Sequence, residues 1–149
     1  MELSDISALF LRDLDRLSEE IQQFQDTSNI WKKTGAVTNT SGNLCLHING
    51  NLNHFIGATL GDTGYVRHRE LEFSDRDVPV AALVNMTRET AEMVAKVFKT
   101  MNEEMLEKTY PLKVFGDAMS TNYFLIHLFG HLNYHLGQIN YLRRILEHA

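Results

Sequence analysis

The apolar residues near the start of the chain fall at Leu3, Ile6, Phe10, Leu14, Leu17, Ile21 and Phe24, always three or four positions apart. That spacing puts all of them on one face of an α-helix and would scatter them over both faces of a strand. Arg, Asp, Glu and Gln fill the positions between, so residues 2–24 read as an amphipathic helix. Three more segments of helical length follow. Thr40 or Ser41 caps a second, running to about Leu60 and stopped by Gly61 and Gly64. Asp77 is the expected N-cap of a third, with Pro79 in its first turn and an apolar face through Leu83, Met86, Ala91, Val94, Val97, Phe98 and Met101 to about Leu106. Ser120 or Thr121 caps a fourth that reaches almost to residue 149. Lys113-Val114-Phe115 is the one weak strand candidate, and no internal repeat is present.

Four such helices predict an all-α fold, a four-helix bundle with long crossover connections. A length of 149 residues suits a single domain over 1–149. Residues 26–39 are a polar connection with one anchor, Trp31. Residues 61–77 are expected to be an ordered loop in which Tyr65, Leu71 and Phe73 dock. A connection of that length can cross the bundle and leave helices two and three parallel.

Composition narrows the class of function. Hydrophobic content of 44% and charged content of 22% are those of an ordinary globular protein. The net charge is −5, and the one basic cluster, Arg67-His68-Arg69, is broken up by Glu70 and Glu72. Nucleic-acid binding needs clustered cations, so it is not expected. Cys45 alone cannot make an internal disulfide and fits a reducing cytoplasm. No basic leader region and no apolar run of roughly 18 residues is present, so neither export nor a membrane span is expected.

The fourth segment carries His131 and His135, one helical turn apart and projecting from the same face. Leu128, Leu132, Ile139 and Leu142 surround them, so the pair lies on or beside the buried face. Two hydrogen-bonded core histidines would be the ordinary explanation. Each would then need its own partner in apolar surroundings. An i, i+4 pair can instead hold one divalent ion. On the second helix His47 and His54 share a face, about 10 Å apart in height at 1.5 Å per residue. Only one of them can lie level with the pair. His47, beside Leu44 and Ile48, is favoured, with His54 at the rim. A third imidazole would leave coordination positions open for water or substrate.

His127, a turn before His131, is a candidate fourth ligand and reads better as a pocket or surface residue. Cys45 reads as a buried, inert thiol. Asn51, at i+4 from His47, and Gln138, three residues after His135, have two readings: helix–helix hydrogen bonding or support for imidazole N–H groups. Gly50 is expected to permit a close approach. Arg67 and Arg69 are candidates for holding an anionic group of a substrate.

The segment Ser41-Gly42-Asn43-Leu44-Cys45-Leu46-His47-Ile48-Asn49-Gly50-Asn51, with His131-Leu132-Asn133-Tyr134-His135-Leu136-Gly137-Gln138-Ile139, resembles the DinB-like (YfiT-like) superfamily of metal-dependent four-helix-bundle enzymes. The run Arg67-His68-Arg69-Glu70-Leu71-Glu72-Phe73 is similar to the R-x-R-x-x-E-F loop of one branch. The resemblance covers essentially the whole chain and implies a metal triad of His47, His131 and His135, which selects His47 over His54. It also implies a crossed bundle and, frequently, a homodimer. For activity it implies a metal-dependent S-transferase using a low-molecular-weight thiol on a small electrophile. A hydrolase using a metal-bound water is the near alternative, and a helical module with a structural metal the non-catalytic one. No Glu follows a ligand histidine in the H-E-x-x-H manner, so a zincin-type peptidase is not expected. Three imidazoles suit zinc, nickel, iron, manganese or copper without choosing among them.

Overall fold

The periodic face of the first segment forms helix α1, Leu3–Gln22, with Ile6, Phe10, Leu14, Leu17 and Ile21 almost fully buried. Glu2 provides no side-chain cap there; instead Glu103, far along the chain, accepts from the Leu3 N–H at 3.1 Å. The computed structural model describes residues 2–148, and among these it is all-helical, with no strand. A 3-10 turn at Thr27–Trp31 lies within the expected polar connection and leads Trp31 onto the N-terminus of α2. The Trp31 ring occupies the space a Cβ on Gly42 would need.

Helix α2 spans Ser41–Leu52, capped by Thr40, whose hydroxyl accepts from the Asn43 N–H. It continues through a π-helical segment, Asn53–Ala58, and a last α turn, Thr59–Gly61. The wide turn loosens the carbonyl ladder. Thr59 Oγ1 donates to the His54 carbonyl at 2.9 Å and Tyr110 Oη to the Phe55 carbonyl at 2.7 Å. Asp62 then turns the chain with a left-handed φ of 47°.

The expected loop 61–77 holds a short helix, α3, Arg69–Ser74. Glu72 and Phe73 are the residues that dock there; Tyr65 and Leu71 remain at the surface. The expected cap Asp77 is corrected: it adopts φ 58°, a left-handed conformation Asp tolerates, and Pro79 occupies the N-cap of α4, Val80–Thr100. That helix ends earlier than its apolar spacing implied. Met101 is extended, and Asn102 caps a separate helix α5, Glu103–Glu107, accepting from the Met105 N–H. Lys113-Val114-Phe115 is not a strand; backbone pairing falls instead at an isolated bridge between Thr109 and Ser120. Helix α6, Thr121–His148, begins where Ser120 Oγ accepts from the Tyr123 N–H.

Helix α1 packs on α4 and α6, while α2 packs on α6, α4 and α3. Every residue of α2 from Ser41 to Leu52 is buried, and several of its polar residues find partners inside. Asn49 and Asn53 donate to Thr87 and Thr90 of α4, at 3.1 and 2.9 Å, and Asn43 donates to the carbonyls of Glu72 and Asp75. No helix among the described residues is long and apolar enough to cross a membrane.

Candidate metal centre

The contact of α2 with α6 brings three imidazoles together. His47 Nε2 and His135 Nε2 each lie 3.1 Å from His131 Nε2. Among the described residues, His47, His131 and His135 form a group whose donor atoms all lie within 4.8 Å of one another, close enough to hold one metal ion. Nitrogens about 2.0–2.1 Å from a common zinc-type ion stand roughly 2.9–3.4 Å apart at ordinary ligand angles. The two 3.1 Å separations fall in that interval. His47 is buried, and His131 and His135 are half-buried, so one side of the group opens outward.

Proton placement strengthens the fit. His47 Nδ1 lies 2.9 Å from Glu72 Oε1, and His135 Nδ1 lies 2.6 Å from Gln138 Oε1. Both oxygens are acceptors, so both Nδ1 atoms carry the proton and both Nε2 atoms present lone pairs. His131 can offer at most one proton to these two neighbours. Without a cation, at least one of the two short N···N contacts therefore has no proton between its nitrogens. A divalent ion between the nitrogens removes the conflict. Burial favours neutral His131, the state a metal requires: its pKa is pushed down to about 3 by desolvation, with His135, His47, His127 and Arg67 adding to it. Burial likewise lowers His135, against the opposing bond from Gln138.

Glu72 is the functional residue that sequence reasoning left outside the candidate set. It is buried with only 6% of its surface exposed, and Arg67 forks onto it, Nε to Oε2 at 2.8 Å and Nη2 to Oε1 at 2.8 Å. Burial alone would raise its pKa, but the bonds from Arg67 and His47 outweigh that and lower it. The carboxylate thus stays ionised and fixes the His47 ring. Gly50 makes this possible, since a Cβ there would run into the Glu72 carboxylate. The clue in the sequence was a glycine inside a buried helix together with the last acid of the Arg67–Phe73 run.

The other candidates separate. Gln138 lies beside His135, its Oε1 2.6 Å from Nδ1. Asn51 is buried but makes no hydrogen bond to an imidazole; its Oδ1 lacks a donor, one turn beyond His47. Arg67 does not project a free guanidinium toward a substrate anion, because Glu72 holds it, and Arg69 lies exposed over the Phe73 ring at 5.1 Å. Phe73 in turn packs against the His47 ring, 4.8 Å between centroids. His54 stands in the π-helical segment against Phe55, outside the three-imidazole group. His127 is exposed, stacked on Phe124 with its ring 6.3 Å from that of His131. Burial pushes the Cys45 thiol up to about 12, so it is unreactive.

No curated protein matches the sequence. A family model described as a protein of unknown function, DUF1572, matches residues 3–149. The three-imidazole group and this match agree with each other: the chain belongs to the DUF1572 family, which lies within the DinB-like family.

Proposed function

We propose that this chain is a single four-helix-bundle domain over residues 1–149 and a metal-dependent enzyme acting on a small molecule. His47, His131 and His135 hold one divalent ion. The observation that carries this reading is the convergence of three Nε2 atoms, with oxygens of Glu72 and Gln138 on the Nδ1 atoms of two of those rings. The bundle reading is supported by the way α1 and α2 each pack on both α4 and α6.

A divalent ion at this centre lowers the pKa of a thiol or water bound to it and so supplies a nucleophile near neutral pH. The residues of the chain prepare for that in separable ways. Three neutral imidazoles cancel none of the ion's charge, which favours an anionic fourth ligand. Glu72, held by Arg67, keeps the His47 proton on Nδ1, and Gln138 does the same for His135. Phe73 packs against the ring of His47. The half-buried positions of His131 and His135 leave the outer side accessible, as a catalytic rather than a closed structural site requires. Within this class we assign transfer of a low-molecular-weight thiol to a small electrophile, in keeping with the DinB-like resemblance.

The test is elemental analysis of the purified protein, followed by assay of the metal-loaded form against a panel of thiols and electrophiles. Near-stoichiometric divalent metal and metal-dependent thiol consumption are expected. Absence of bound metal after loading would sink the reading. Turnover of esters or amides without thiol would replace transfer by hydrolysis. Metal needed for thermal stability but with no turnover would make the ion structural.

A further inference from the structure

Past the histidines, the face of α6 that carries His135 continues through Gln138, Leu142 and Ile145, at steps of three, four and three. Helix α2 runs the opposite way beside it, since His47 meets His131 while Phe55 meets Phe124. Leu44 therefore lies one turn beyond His47 in the same direction as Gln138. Here the two helices border a hollow of about 320 Å³, whose third wall is the chain leading into α2, residues 36–39. It adjoins the histidine centre through one shared residue. Gln138 lines the hollow, and its Oε1 lies 2.6 Å from His135 Nδ1. The volume falls at the lower end of what small-molecule pockets enclose.

The lining sets the chemistry of the occupant. Val37, Leu44, Leu142 and Ile145 give aliphatic walls, and the polar groups beside them, such as the amides of Asn39 and Gln138, are neutral. Among the described residues, none that lines the hollow is charged or aromatic. An ionic group would lose its water there without a counter-charge, and a ring would find no ring to stack on. Val37 and Ile145 leave 42% and 47% of their surfaces exposed, and an aliphatic chain laid against them would take apolar surface out of water. We infer that the hollow is a subsite for an uncharged aliphatic portion of the small molecule taken at the histidine centre. The role of that molecule rests on the thiol-transfer reading, under which it is the electrophile. Its reacting carbon lies at the centre and its chain runs past Gln138 between Leu44 and Leu142. A terminal epoxide meets this description. The S–C bond forms as a C–O bond of the ring breaks, and the proton given up by the thiol goes to the released oxygen.

Two measurements on the metal-loaded protein test this. The first is kcat/KM for straight-chain terminal epoxides of increasing length, with one thiol held constant. It should rise about two- to fourfold per added methylene until the hollow is full. A carboxylate or ammonium at the far end of the chain should cancel the gain. Val37→Asp and Ile145→Asp, both at exposed positions, should flatten the series while far-UV circular dichroism and metal stoichiometry match the wild type. The second needs no turnover: 1-hexanol titrated into methyl-labelled protein should shift the resonances of Val37, Leu44, Leu142 and Ile145, and Val37→Asp should weaken that binding. Hexanol bound at these methyls with no epoxide consumed would uphold the subsite and remove thiol transfer to epoxides. Epoxide turnover indifferent to chain length would overturn the subsite and leave thiol transfer standing. Hexanol that leaves these methyls unmoved would overturn it as well.

Discussion

Helices α1 and α2 are both packed against α4 and α6, yet they are built on different principles. Helix α1 keeps a buried apolar row on one side and polar residues on the other, with Asp13 the one charged side chain taken inside. Helix α2 has no solvent side, and its buried residues include Asn43, His47 and Asn49, each with a partner inside. An apolar row is stable wherever it is covered; a buried polar residue is tolerated only where a particular partner waits. The first helix therefore secures the fold, and the second brings His47 to the α6 histidines.

The sharpest way to break the comparison is to remove ligands. His131→Ala/His135→Ala should abolish stoichiometric metal binding, read by elemental analysis, while circular dichroism still reports a helical fold. On the α1 side the expected response is inverted. Phe10→Ala empties a fully buried site packed against Phe98 and Phe129 and should cost about 3–5 kcal/mol of stability by denaturant titration. Its metal stoichiometry should be unchanged wherever the variant is folded. If Phe10→Ala lost metal in the folded state, the division of labour would be wrong.

Glu72→Gln is a milder intervention on the α2 side. The amide can still accept from His47 but carries no charge to steady the imidazole or hold Arg67, and metal affinity should fall about 10–100-fold by competition with a chelating dye. Gly50→Ala should weaken affinity in the same direction by pushing the carboxylate aside. The smallest effect concerns acid. Burial would raise the Asp13 pKa, but bonds from Arg12 and Asn133 lower it below the ordinary 3.8. Its contribution is complete above pH 3.8 and disappears as pH falls through the lower folded value. Asp13→Asn should flatten that part of an acid unfolding curve and leave metal affinity alone.

Much of this contrast was legible in the sequence. The row from Leu3 to Ile21 has one periodic reading, and the structure follows it. The i, i+4 spacing of His131 and His135 fixes their common face without any knowledge of packing. His47 and His54 share a face too, so spacing alone did not decide between them; the choice depends on which level of α2 meets α6. The π-helical segment was hidden for a similar reason, since Tyr110, 55 residues after Phe55, supplies one of its hydrogen bonds. Glu72 sits in a charged stretch that resembles any solvated loop. Only the fold, which lays α3 over Gly50, turns it into the partner of His47.

That overlay binds two equilibria together. Glu72 belongs to α3 in the connection between α2 and α4, and its single carboxylate both anchors that connection and steadies His47. Whatever free energy an ordered connection adds to metal affinity, bound metal must return to the order of the connection by the same factor. Metal loading should therefore slow amide hydrogen exchange within Arg69–Ser74, and Glu72→Gln should uncouple the two. A segment with few buried residues would then report, from the surface, whether the centre beneath it is filled.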